Sequence, residues 1–222
     1  MRRSGGPGAE QGLALVATGL TLAGVVLAVT QPPWLTEPLQ AAVREAGGAA
    51  PVVYVLLCVL AAPFHLSGVL GALSTVTWPL PAALGLTFLG TLLGALLTAW
   101  LLSRAHRPAQ GYRAAWPGWL GRLAAQGQRR AVLTGVLARL ALGSGAALEA
   151  FFVLTGYTRR QYLVTAVLGT ALWTLQALLG VTLLRELAKA SPGLAALFAL
   201  LPPLTVAALL ALRRARQRQD AA

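Results

Sequence analysis

Two charged side chains stand where charge is costly. Arg139 and Glu149 lie ten residues apart at the start of an otherwise apolar stretch, RLALGSGAALEAFFVLTGYTRRQYLVTAVLGTALWTLQALLG, running from Arg139 to Gly180. At membrane depth each such residue costs roughly 2.5–3.5 kcal/mol on insertion scales and usually faces a cavity or a partner. A guanidinium can grip a phosphate through paired hydrogen bonds, so Arg139 is a candidate ligand for an anionic headgroup; its plainer role is to snorkel to the interface. Glu149 is a candidate to take up a proton or to pair with Arg139. His65 titrates near neutral pH, with packing or hydrogen bonding as its plainer role. Arg159 and Arg160 read as topology determinants that could also guide anionic headgroups. Ser67, Ser74, Thr75 and Thr77 can satisfy backbone groups freed by a helix break. With two histidines and a single aspartate, Asp220, the chain offers no carboxylate pair, metal cluster or Gly-rich phosphate loop, so it reads as neither an enzyme nor a cofactor or metal binder.

These residues must be positioned by elements built for lipid. Of 222 residues, 57% are hydrophobic and only 11% charged, where a soluble domain carries about a quarter charged. Several runs approach the roughly 20 apolar residues that cross a bilayer as a helix. The net charge of +12 does not indicate nucleic acid, because the arginines sit in loops and in the tail, as cytoplasmic loops require; that placement favours anionic membrane lipids. Cys58 is the lone cysteine and reads as a small packing residue.

The expected fold is an all-α integral membrane protein. Residues 1–50 hold a first span, Gly12–Thr30, retained rather than cleaved as a secretory signal, and a loop with a short interfacial helix anchored by Trp34. Residues 51–190 form the core: a hairpin over 51–81, a span over 82–102, a basic loop over 103–130 with Tyr112, Trp116 and Trp119, a hairpin over 131–157 and a span over 161–184. Residues 191–222 hold a last span, Gly193–Leu212, and an arginine-rich tail. Gly90 and Gly94 form a small-residue face suited to close helix contact.

Shifting the sequence by 79 residues sets Leu89-Gly90-Thr91-Leu92-Leu93 on Leu168-Gly169-Thr170-Ala171-Leu172, and Trp78 on Tyr157. Each copy has a short apolar arm, a break with an aromatic residue, and a span. If 51–70 and 131–157 crossed fully, with the N-terminus inside, Arg104, Arg107, Arg113, Arg122, Arg129 and Arg130 would be external, against the positive-inside rule. If both are re-entrant hairpins, the N-terminus, the central loop, Arg159, Arg160 and the tail are all cytoplasmic. One span separates the hairpins, so they enter from opposite faces as an inverted repeat, a layout that secondary transporters use to place a site at mid-membrane.

Over roughly Pro63 to Gly180 the chain resembles the DedA family, the group that includes the SNARE-associated Golgi proteins and shares the VTT domain. The resemblance rests on Pro63, Gly68 and Gly71, on Gly90, Gly94 and Ser103-Arg104, and on Arg139, Gly156-Tyr157-Thr158, Tyr162, Thr165, Gly169 and Gly180. It implies a multi-pass protein of the cytoplasmic membrane that moves or scrambles lipids, including polyprenyl-phosphate carriers, with some proton coupling. The sequence departs from the better-studied branch in three places. His65 is the only titratable residue between Pro63 and Pro81, where relatives carry an acid. Leu142-Gly143-Ser144 replaces prolines after the hairpin arginine, and Glu149 stands where an uncharged polar residue is usual. The expected function is a lipid transporter or scramblase. A membrane organiser that recruits anionic lipid or a partner, and a small ion or solute carrier, are the alternatives; self-association is left open.

Overall fold

The computed structural model describes residues 26–27, 29–105, 130–191 and 193–194. Most of the span expected over Gly12–Thr30, the central loop beyond Ala105 with its aromatics, the last span and the basic tail lie outside the described residues. So does most of the charge that orients the chain.

Every described element is helical: α1 (Pro33–Ala46), a 3-10 turn (Gly47–Ala49), α2 (Ala50–Ala61), a second 3-10 turn (Ala62–Phe64), α3 (Ser67–Thr77), α4 (Leu80–Ala105), α5 (Ala131–Leu142), α6 (Ala146–Thr155) and α7 (Arg159–Ala190). Among the described residues three stretches are long and apolar enough to cross a membrane: Thr36–Phe64, Leu80–Arg104 and Arg159–Ala190. The 26 residues of α4 rise about 39 Å, more than the roughly 30 Å of a hydrocarbon core. The chain is thus all-α with the makings of a multi-pass membrane protein. The first candidate span begins at Thr36, within what the sequence suggested was a loop with a short interfacial helix, and takes in the first arm of the hairpin expected over 51–81. Gly47, at φ +51, separates the two parts of that stretch.

The chain forms two compact units, Pro33–Leu179 and a second one comprising 1–32 with 180–222. In the second, Lys189 and Glu186 make an exposed ion pair at 2.7 Å. The first holds all the candidate site residues.

Local chemistry sets the breaks in the first unit. Gly156 takes a left-handed conformation (φ +77) and ends α6 in a Schellman turn, with Gly156 N–H donating to Val153 O and Tyr157 N–H to Phe152 O. Thr158 and Gln161 then start α7 with a capping box: Thr158 N–H donates to Gln161 Oε1 at 3.0 Å and Gln161 N–H to Thr158 Oγ1 at 3.3 Å. The same turn follows Ala61, with His65 N–H donating to Ala62 O and Leu66 N–H to Ala61 O. There the left-handed residue is His65, at φ +61, a conformation glycine takes far more readily. Between α5 and α6, Gly143 (φ 73, ψ −144) adopts backbone angles that only glycine reaches without strain.

Packing is inside out relative to a soluble bundle. Leu168, Leu172, Leu175 and Leu179 on α7 are exposed, as are Leu89, Leu93 and Leu97 on α4. The buried faces carry small and hydroxylated residues instead. Lipid tails are as apolar as leucine, so helices in a membrane associate through close van der Waals contact and polar pairs rather than by burying leucine. The glycines permit this. A Cβ on Gly90 would stand 2.5 Å from Cys58 Cβ, and one on Gly94 the same distance from Ala62 Cβ, so α4 lies directly on α2. On α7, a Cβ at Gly169 would fall 2.8 Å from the Arg139 side chain.

Candidate functional site

Arg139, on the inward face of α5, and Glu149, on the first half of α6, are both about 1% exposed, and they meet. Arg139 Nη2 lies 2.8 Å from Glu149 Oε1 and donates to Glu149 Oε2 at 2.9 Å. Gly143 turns the chain back between them, and Gly169 leaves room for the arginine stem on α7. Tyr162, one turn into α7, completes the cluster: its hydroxyl is 2.6 Å from Glu149 Oε2 and 3.0 Å from Ala95 O of α4. One hydroxyl proton serves one acceptor at a time, and the shorter contact, to the carboxylate, is the stronger. The guanidinium also stands over the Phe152 ring, 5.2 Å from its centroid. Arg139 keeps two groups without a protein partner, Nε and Nη1, both fully buried. Buried donors almost always have partners, and these two have none among the described residues.

His65 sits at the break between α2 and α3, with its ring against the Gly145 backbone; a Cβ on Gly145 would collide with it. Ser67 Oγ is 3.3 Å from Ser144 Oγ. The two breaks therefore touch each other, although 77 residues separate these serines. Trp173 of α7 fits between them, 3.5 Å from where a Cβ on Gly68 would be and 3.0 Å from one on Gly143. A Cβ on Gly71 would meet Thr87 and Leu178 at 3.0 and 3.1 Å.

The outer ends of the arms also pair. Tyr54, near the start of α2, stacks edge-on against Trp78, just past α3, with centroids 5.0 Å apart. Tyr157, just past α6, donates its hydroxyl to Ala131 O at the start of α5, at 2.8 Å.

A seam of buried hydroxyls runs through the interior. Tyr54 and Thr87 are linked at 2.7 Å, and Ser74 is 3.3 Å from Thr87. Ser74, Thr75 and Thr77 donate to carbonyls of their own helix, the role expected of them, and Thr98 does likewise to Gly94 O. By contrast, the hydroxyls of Thr91, Thr165, Thr170 and Thr174 are buried without a partner.

The structure thus brings together Arg139 and Glu149, and brings His65 to the meeting of the breaks. Arg159 and Arg160 are exposed at the start of α7, away from the pair. Sequence reasoning missed Tyr162 as a member of the charged cluster, Trp173 as the wedge, and the Tyr54–Thr87–Ser74 group. Tyr162, Thr165, Gly169 and Trp173 recur at helical spacing and so mark one face of α7, but the spacing does not say what that face meets. Comparison with protein-family models, with curated proteins and with solved structures finds no match.

Proposed function

We propose that the chain is a DedA-like transporter or scramblase that carries the phosphate-bearing headgroup of a lipid, with polyprenyl-phosphate carriers among the candidate substrates, across the cytoplasmic membrane while its acyl chains stay in the bilayer. The observation that carries this reading is Arg139: a buried guanidinium with Nη2 on Glu149 and with Nε and Nη1 unpartnered. A phosphate oxygen satisfies such donors, and the planar fork suits it. Glu149 holds the arginine in place while the site is empty and competes with the phosphate for it; neutralising the carboxyl would release Nη2 as well.

The re-entrant reading of 51–81 and 131–157 is supported by the pairing of arm ends, Tyr54 with Trp78 and Ala131 with Tyr157. The repeat is supported by the element bounds: shifted by 79 residues, α3 and the start of α4 fall on α6 and the start of α7. In this reading the hairpins enter from opposite faces and their tips meet at His65–Gly145 and Ser67–Ser144, so that the charged pair lies within reach of both sides. The N-terminus, central loop and tail face the cytoplasm.

The test is lipid translocation in proteoliposomes, with a phospholipid and a polyprenyl phosphate as probes. Wild-type protein should move lipid faster than empty liposomes, and Arg139→Ala and the double variant Arg139→Met/Glu149→Leu should not. The double variant keeps the core free of an unpaired charge, so its loss of flux would not be a loss of fold. Equal flux in wild type and empty liposomes, with protein shown to be folded, would transfer the reading to a non-transporting membrane organiser.

A further inference from the structure

A cavity of about 440 Å³ opens between the end of α4 and the start of α7. Its apolar wall includes Leu96, Val153 and Leu163; its polar edge is Ser103, Tyr157 and Arg159. None of the described residues lining it is acidic. Arg104 stacks on the lining residue Trp100, 4.2 Å from the ring centroid. Its back wall is formed by Phe152 and Tyr162, the two rings that pack against Arg139. The Tyr162 hydroxyl bonds Glu149 from the other side of that wall.

We infer that this groove is the lateral binding site for the lipid phosphate, with Arg159 as its first ligand and Tyr162 as the partition between the groove and the buried pair. The proposal deepens the transport reading and rests on it for the groove's role. Three features select a lipid rather than a free anion. One side of the groove is apolar, matching acyl chain. The polar side carries positive charge alone. The cavity sits where α4 presents exposed leucines and Trp100, an aromatic of the kind enriched at the membrane–water boundary. Arg159 is not explained by helix stability, because a cation in the first turn opposes the helix dipole. Its side chain is exposed and free to take a headgroup. Once bound, a phosphate would be separated from Arg139 only by rings that can turn, and rotation of Tyr162 would break its bond to Glu149 as the way opens.

Binding can be read without flux. A fluorescent short-chain phosphatidic acid and the matching phosphatidylcholine are titrated into detergent-purified protein, and anisotropy is recorded. The phosphatidic acid should bind more tightly than the phosphatidylcholine. Arg159→Gln should weaken it by roughly five- to tenfold, the scale of one lost charge-assisted hydrogen bond at a partly exposed site. Arg159→Lys should recover part of the loss, and Val153→Trp should block binding by filling the groove with the charges left in place. Excess inorganic phosphate should leave the signal unchanged. Wild-type binding in both Arg159→Gln and Val153→Trp, or full displacement by inorganic phosphate, would overturn the proposal. A groove that fails this test leaves the Arg139 flux comparison standing, and an Arg139→Ala that transports normally leaves the binding result standing.

Discussion

Arg139 and Glu149 are held by each other, and each would be an unpaired buried charge alone. Removing one partner of such a pair is expected to cost about 3–5 kcal/mol, whereas replacing both by apolar residues of similar volume is close to neutral or stabilising. Unfolding in detergent should therefore rank Arg139→Ala well below the double variant Arg139→Met/Glu149→Leu. Equal losses in the two would mean that Glu149 left without Arg139 carries no penalty of its own. His65 offers a second comparison at this scale. Both His65→Ala and His65→Gly lose the ring on Gly145, but only alanine keeps the left-handed strain, so the glycine variant should be the more stable by about 1 kcal/mol. The same ranking in reverse would remove the backbone argument. The charged pair was legible as two costly residues in one apolar run. Their partner Tyr162 was not, because a tyrosine thirteen residues further on, beyond a helix break, gives no sign in the sequence of which way the chain turns.

Helices α4 and α7 are recognition surfaces for the shorter arms, and their glycines decide how close those arms come. Gly90 and Gly94 face Cys58 and Ala62, so a leucine at either position must push α2 away. Overpacking of this kind costs about 1–3 kcal/mol, and Gly90→Leu should lower thermal stability in detergent accordingly. Gly85, on the same helix, meets nothing within 4 Å, and Gly85→Leu should cause no loss of stability; a loss there as large as at Gly90 would contradict close packing as the cause. Hydropathy and glycine spacing made these long helices readable, with 82–102 becoming Leu80–Ala105 and 161–184 becoming Arg159–Ala190, the latter running six residues further than expected, through Arg185, Glu186 and Lys189. The capping box at Thr158–Gln161 explains the earlier start of α7. The helix over Pro33–Ala46 was underestimated: its prolines and charges spoke for a loop, but its apolar residues Leu39, Ala42, Val43 and Ala46 recur at helical spacing and line one cavity with Tyr54 and Trp78. The wedge at Trp173 could not be read either, since it depends on two breaks far apart in sequence arriving at the same place.

At the scale of the whole molecule, the account depends on which side each arm returns to. The end of α4 and the start of α7 line one cavity, through Trp100 and Ser103 on one side and Tyr157 and Arg159 on the other. The segment between them, α5 and α6 included, therefore begins and ends at the same end of the first unit. That return is what the proposed second hairpin requires. Single cysteines test it on a Cys58→Ser background, placed at Pro79, Ser103 and Thr158, all exposed; Ser74 and Ser144 are buried and would report nothing. The measurement is labelling by a membrane-impermeant maleimide applied from each face. Ser103→Cys and Thr158→Cys should label together from the cytoplasmic face and Pro79→Cys from the opposite one, while labelling of Ser103→Cys and Thr158→Cys from opposite faces would contradict the account.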